Sequence, residues 1–151
     1  MKLRVTVMKV AVFLAAFAGV WGGAAAAQVV VAGAWSRATA PHQDSGVVYL
    51  SLTAPGGDTL TDIATPDAAM GMLHQTTHQG SMSGMADMDS LKLPPGKTVT
   101  LAPGALHIML MELKHPLVAG TAVALDLTFA HAGVVHVRVP VQPIGASGPP
   151  D

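Results

Sequence analysis

Hydrophobic and polar residues alternate along most of this chain in short runs. The clearest is Ala105 to Met111, where Leu106, Ile108 and Leu110 fall on one side and His107, Met109 and Met111 on the other. A period of two is that of a β-strand, whose successive side chains point to opposite faces. Val48, Leu50 and Leu52 alternate with Tyr49, Ser51 and Thr53 in the same way, and Thr98 to Leu101 repeats the pattern briefly. Val123, Leu125, Leu127 and Phe129 alternate with Ala124, Asp126 and Thr128, and Val135, Val137, Val139 and Val141 with His136, Arg138 and Pro140. Gln28 to Trp35, Thr59 to Ala64 and Ala68 to His74 read as further strands.

Turn residues separate these runs: Pro55-Gly-Gly57, Thr65-Pro-Asp67, Pro94-Pro-Gly96, Pro103-Gly104 and the stretch from Pro116 to Gly120. Thr39 to Gly46 is a polar loop. Gln75 to Ser90 is composed of Gln, Thr, Ser, Gly, His and Met with almost no aliphatic residue, so it reads as a loop or an irregular hairpin. After residue 27 no segment shows a 3.6-residue period of helix-forming length. Short strands with Gly/Pro punctuation predict an all-β sandwich or small barrel, one domain over residues 28–141. Residues 142–151, rich in Gly and Pro, are expected to form a flexible tail.

The first 27 residues have the layout of an export signal. Lys2, Arg4 and Lys9 precede an apolar stretch from Val10 to Trp21, followed by small residues from Gly22 to Ala27. A span would need about 20 apolar residues, so cleavage after Ala27 is expected, leaving a mature chain of 124 residues in the periplasm. That chain carries five basic and nine acidic residues, a net charge of −4 with neutral histidines. Nucleic acid, which selects for basic surface, is therefore a poor partner.

Cysteine is absent. In an exported protein this removes disulfides, thiolate chemistry, thiolate zinc sites and the usual point of lipid attachment. Any metal chemistry must use His, Met and carboxylates. The chain has nine Met and seven His against a single Tyr, and all seven mature methionines lie between Met70 and Met111.

Donors concentrate in three places: His74 at a strand end, the segment with His78, Met82, Met85 and Met88, and the strand with His107, Met109 and Met111. On that strand His107 and Met109 would stand about 6.6 Å apart along one face. Either the face binds a metal, or the strand is buried on both sides with Met as filler. Three methionines in a polar Gly/Ser segment, Met82, Met85 and Met88, have too few aliphatic neighbours to be buried unless something covers them. Copper rationalises the set best, because thioethers favour Cu(I) and imidazole serves either oxidation state. A blue-copper site lacks its thiolate, and a three-histidine zinc site would leave the methionines unexplained. Trp35 and Arg37 read as structural, Met70, Met72 and Met111 as packing, and His42, His115, His131 and His136 as solvated. No nucleophile with its base and no paired-carboxylate site is recognisable, so no enzyme is expected.

Ten residues separate His74 from Met85, twenty-one separate Met85 from His107, and one separates His107 from Met109. This set resembles the copper-binding motif of the periplasmic PCu(A)C copper chaperones. Ala34 to Ala38, Gly46 to Leu52 and Leu101 to Lys114 are also similar to that family. The resemblance implies a cupredoxin-like β-sandwich, of Greek-key type, that binds Cu(I) through His74, Met85, His107 and Met109. It also implies copper supply to the CuA centre of cytochrome c oxidase, alongside Sco-type thiol proteins. The chain departs from the family pattern after the first histidine, where it reads Gln75-Thr-Thr-His78 and Ser83-Gly-Met85. Met82 and Met88 therefore stand beside Met85 as alternatives. Cu(II) stands beside Cu(I) as a second candidate ion for the same site; rival readings are a copper-sequestering or buffering protein holding several ions, and a metal-free β-sandwich interaction module.

Overall fold

The computed structural model describes residues 28–151; the expected signal segment lies outside the described residues. Ten strands form: β1 Val30–Arg37, β2 Ser45–Thr53, β3 Asp58–Ala64, β4 Ala68–Gln79, β5 Met82–Met88, β6 Leu91–Leu93, β7 Thr98–Leu101, β8 Leu106–Leu113, β9 Ala122–Phe129 and β10 Gly133–Gln142. Among the described residues there is no helix, and so none long and apolar enough to cross a membrane.

Hydrogen bonds link the strands in the order β5-β4-β8-β2-β1-β10-β9-β3-β6, with β7 also paired to β2. Every pairing is antiparallel except β1 with β10, where Ser36 meets Val141 and Arg37 meets Gln142. Around that junction the path closes into two layers. Val48, Leu73, Ile108 and Leu110 from one layer meet Leu60, Leu125, Leu127, Phe129 and Val139 from the other in a single core. The alternation seen in the sequence is the cause: one side of each strand is aliphatic, and only burial against a second sheet removes that side from water.

The two layers approach closely where β4 crosses β3. A Cβ on Gly71 would lie 2.6 Å from Ile63 Cγ2 and 2.9 Å from the Ile63 carbonyl oxygen, so only glycine admits this packing. On the outer face of the first layer, Trp35 and Tyr49 are registered partners with ring centroids 4.9 Å apart. The Arg37 guanidinium sits 5.6 Å and 6.0 Å from those two centroids, and its Nε donates to the Ala146 carbonyl at 2.7 Å. Arg37 therefore covers the aromatic pair and ties residue 146 to the sheet, the structural use expected of it.

The donor-rich segment from Gln75 to Ser90 takes the hairpin alternative, and the hairpin is regular. Pairing runs without a register shift from Leu73 with Met88 to Gln79 with Met82. The two-residue connection is Gly80-Ser81, and Gly80 has φ +60°, which suits the turns that match strand twist. β6 was not anticipated. It is three residues long, but Leu91 and Leu93 are buried against β3.

Candidate metal centre

The proposed ligands sit on the outer face of the β5-β4-β8-β2 layer, and register decides which of them meet. On β4 and β8, His74 lies directly opposite His107, Met72 opposite Met109 and Met70 opposite Met111. The intervening residues Leu73, Ile108 and Leu110 point into the core and anchor both strands. Glu112 adopts φ +54°, after which Leu113 packs toward the core. The outward alternation of β8 thus ends at Met111.

The two imidazoles form the heart of the site. Their ring centroids are 5.7 Å apart at an interplanar angle of 75°. Both residues are buried, His74 at 9 % and His107 at 5 % exposure, although they face away from the main core. His107 Nδ1 donates to the Ala105 carbonyl at 3.1 Å, since a carbonyl can only accept. That bond fixes the tautomer and leaves the Nε2 lone pair free, the arrangement usual for a metal-binding imidazole. In His74 both ring nitrogens are buried without a hydrogen-bond partner. Its Nε2 is 2.9 Å from Asp87 Oδ1, but the contact lacks hydrogen-bond alignment. Leaving a buried polar group unpaired costs on the order of 1–3 kcal/mol, so the orphaned imidazole marks a place built for a further partner.

Thioethers flank this histidine pair. Met109 is the next residue on the His107 face of β8 and is half-buried. Met85, on edge strand β5, is opposite Thr76, one row beyond His74 on the other side, and is 61 % exposed. His74 and His107 are therefore brought together directly, Met109 stands beside them, and Met85 lies diagonally across β4 on the hairpin. Met82 is near the hairpin tip at 76 % exposure, whereas Met88 faces the core side with Leu73. Of the two alternatives to Met85, neither shares its face: the unbroken register puts Met82 and Met88 on the Leu73 side of the hairpin, while Met85 and Asp87 are on the His74 side.

Among the described residues no three His, Asp or Glu side chains are grouped to hold a metal. A three-histidine zinc site is thus unsupported among them, and the soft donors that remain on this face are the thioethers. Asp87 was not anticipated as a neighbour of His74. A two-residue turn at Gly80-Ser81 places it there, and that turn was the available signal. The histidines read as solvated are exposed, yet three pair with carboxylates: His115 with Asp67 at 2.9 Å, His131 with Asp58 at 3.2 Å, and His136 with Asp126 at 2.6 Å.

Known proteins agree with this architecture. The family model described as "Putative lipoprotein LpqE-like" matches residues 29–141. A relative from Leifsonia xyli subsp. xyli, "Putative lipoprotein Lxx21020", is 32 % identical over 115 residues, 76 % of this chain and 69 % of that one. The apo PCuAC domain of PmoF2 superposes with a TM-score of 0.70 at 25 % identity, covering 82 % of this chain and 97 % of that domain. The solution structure of the Cu(I) form of DR1885 from Deinococcus radiodurans superposes with a TM-score of 0.63 at 36 % identity, over 80 % and 83 % of the two chains. The fold is therefore the cupredoxin-like β-sandwich of PCuAC domains, and the chain belongs to the LpqE-like family.

Proposed function

We propose that this protein is an exported Cu(I) carrier, not an enzyme, working in the periplasm and holding its ion between His74, His107, Met109 and Met85. The observation that carries the reading is the buried, directly opposed imidazole pair, one ring orphaned and the other with its tautomer set, on a face lined by thioethers. Similarity to the Cu(I) form of DR1885 supports it. Two neutral imidazoles and two thioethers suit a soft monovalent ion and add no negative charge that would favour Cu(II).

The placement also suits transfer. Three ligands, His74, His107 and Met109, are on strands anchored in the core, while Met85 is on an exposed edge hairpin. An incoming thiolate can displace the exposed thioether first and then take the ion stepwise. The recipient we infer is a copper-accepting protein of oxidase assembly, a Sco-type thiol protein or the CuA subunit of cytochrome c oxidase.

Competition against a Cu(I) chelator tests the ligand set. His107→Ala should weaken Cu(I) binding by more than about 100-fold, beyond the usual loss for an outer-shell partner. Met85→Leu should weaken it less, and His136→Ala should leave it unchanged. Equal losses in His107→Ala and His136→Ala would overturn the assignment. X-ray absorption on the loaded protein should report both nitrogen and sulfur neighbours. A buffering protein would instead take up several ions of comparable affinity.

A further inference from the structure

Beyond the histidine pair, the same sheet face continues as two rows of thioethers. Met72 is directly opposite Met109, and in the next row Met70 is opposite Met111. Partners across an antiparallel pair have Cα atoms about 4.5–5.5 Å apart, and successive rows on one face about 6.6–6.8 Å. Four flexible side chains rooted that closely can converge their sulfurs on one ion. β2 borders the rows with Val47 opposite Met109 and Ser45 opposite Met111, offering no competing charge.

Core packing does not account for this quartet. The residues that alternate with it, Leu73, Ile108 and Leu110, are the buried ones, and the methionines take the opposite side. Met70 is 50 % exposed, and Met72, Met109 and Met111 are only partly buried. Leucine would fill such a face as well and resist oxidation; a thioether adds only polarisable, soft donor character.

We propose that Met70, Met72 and Met111 form a second, weaker site for a soft monovalent cation, with Met109 standing between it and the histidine site. The proposal rests on the Cu(I)-carrier reading for its physiological ion, but its chemistry requires only thioether affinity. Three neutral sulfurs without imidazole bind less tightly, so this site fills second and empties first. An ion held there is one row from the histidines, and Met109 can hand it across without release to water.

The test is titration of the mature protein, carrying methyl-13C methionine, with Cu(I) under anaerobic conditions and separately with Ag(I), a redox-inert thioether-seeking ion. The first equivalent should move the Met109 methyl signal, and the second should move those of Met70, Met72 and Met111. The triple variant Met70→Leu, Met72→Leu, Met111→Leu should bind one equivalent where the natural protein binds two. The double variant His74→Ala, His107→Ala should lose the tight equivalent and keep the weak one. Saturation of the natural protein at one equivalent, with the Met70, Met72 and Met111 signals unmoved, would overturn the second site and leave the carrier reading standing. Two equivalents in the triple variant would also overturn it. Absence of any tight equivalent would instead sink the carrier reading, while weak uptake at the three methionines would still support the thioether site. The methyl signals of the natural protein decide the matter even should a variant fail to fold.

Discussion

At the scale of single residues, two buried polar side chains have opposite fates. Asp58, buried at the β3 start, is fully used: Oδ1 accepts from the Thr59 and His131 amides at 2.8 Å and 2.9 Å, and Oδ2 from the Ala132 amide at 2.9 Å. Burial alone would raise its pKa, but those amides, helped by the His131 side chain, outweigh it and hold the carboxyl below its ordinary 3.8. A group depressed in the folded state favours folding above its unfolded pKa, and that contribution is lost as pH falls through the lower folded value. Asp58→Asn keeps the shape but replaces one acceptor with a donor facing amides. It should cost about 1–3 kcal/mol in urea unfolding at pH 7. The gap between the two proteins should close below pH 3.8, from the carboxyl's ordinary value down; a gap that stays constant to pH 2 would refute this role. His74 has no such partners, which is why it reads as a site and Asp58 as a staple. His74 was visible in the sequence through its interval to Met85, whereas Asp58 carried no signal there, because two of the three amides that satisfy it come from the β9–β10 turn more than seventy residues away.

At the scale of elements, strands with one aliphatic side were legible because burial imposes alternation directly on the residue order. The β4–β5 hairpin was not. β5 is exposed on both faces up to Met88, so no hydrophobic period marks it, and its register comes from a turn at Gly80 and from pairing with β4. β6 was too short for a period to show. Nor does any local pattern tell that Gly71 must lack a side chain; the reason is the approach of β3 from the other layer. Gly71→Ala should therefore destabilise the domain by roughly 1–3 kcal/mol, the usual range for overpacking. Adding Ile63→Val should recover only part of this. The β-branched Cγ2 is kept in one rotamer of valine, and the Ile63 carbonyl oxygen at 2.9 Å is unchanged. Full recovery in chemical unfolding would mean that the backbone clash is relieved by a shift of β4.

On the scale of the whole molecule, the candidate site joins parts of unequal anchoring. β8 lies inside the sheet between β4 and β2, with Ile108 and Leu110 in the core, while β5 is a sheet edge with little buried surface. Edges and exposed hairpins open at low free energy, whereas core strands open only with global unfolding. An ion bound to His107 and Met109 on one side and Met85 on the other must couple them. Free Cu(I) at 100 times its dissociation constant stabilises the folded state by about 2.7 kcal/mol. For a domain of this length that corresponds to roughly 10 °C in melting temperature. The distribution of the gain is more telling than its size. In hydrogen exchange, the β5 amides that pair with β4 should exchange much faster than those of β8 without copper and should slow the most on loading. Amides of β9, in the other layer, should change only as far as global stability does. Equal slowing of β5 and β9 would mean that the hairpin contributes no ligand, and that copper is held by the anchored strands alone.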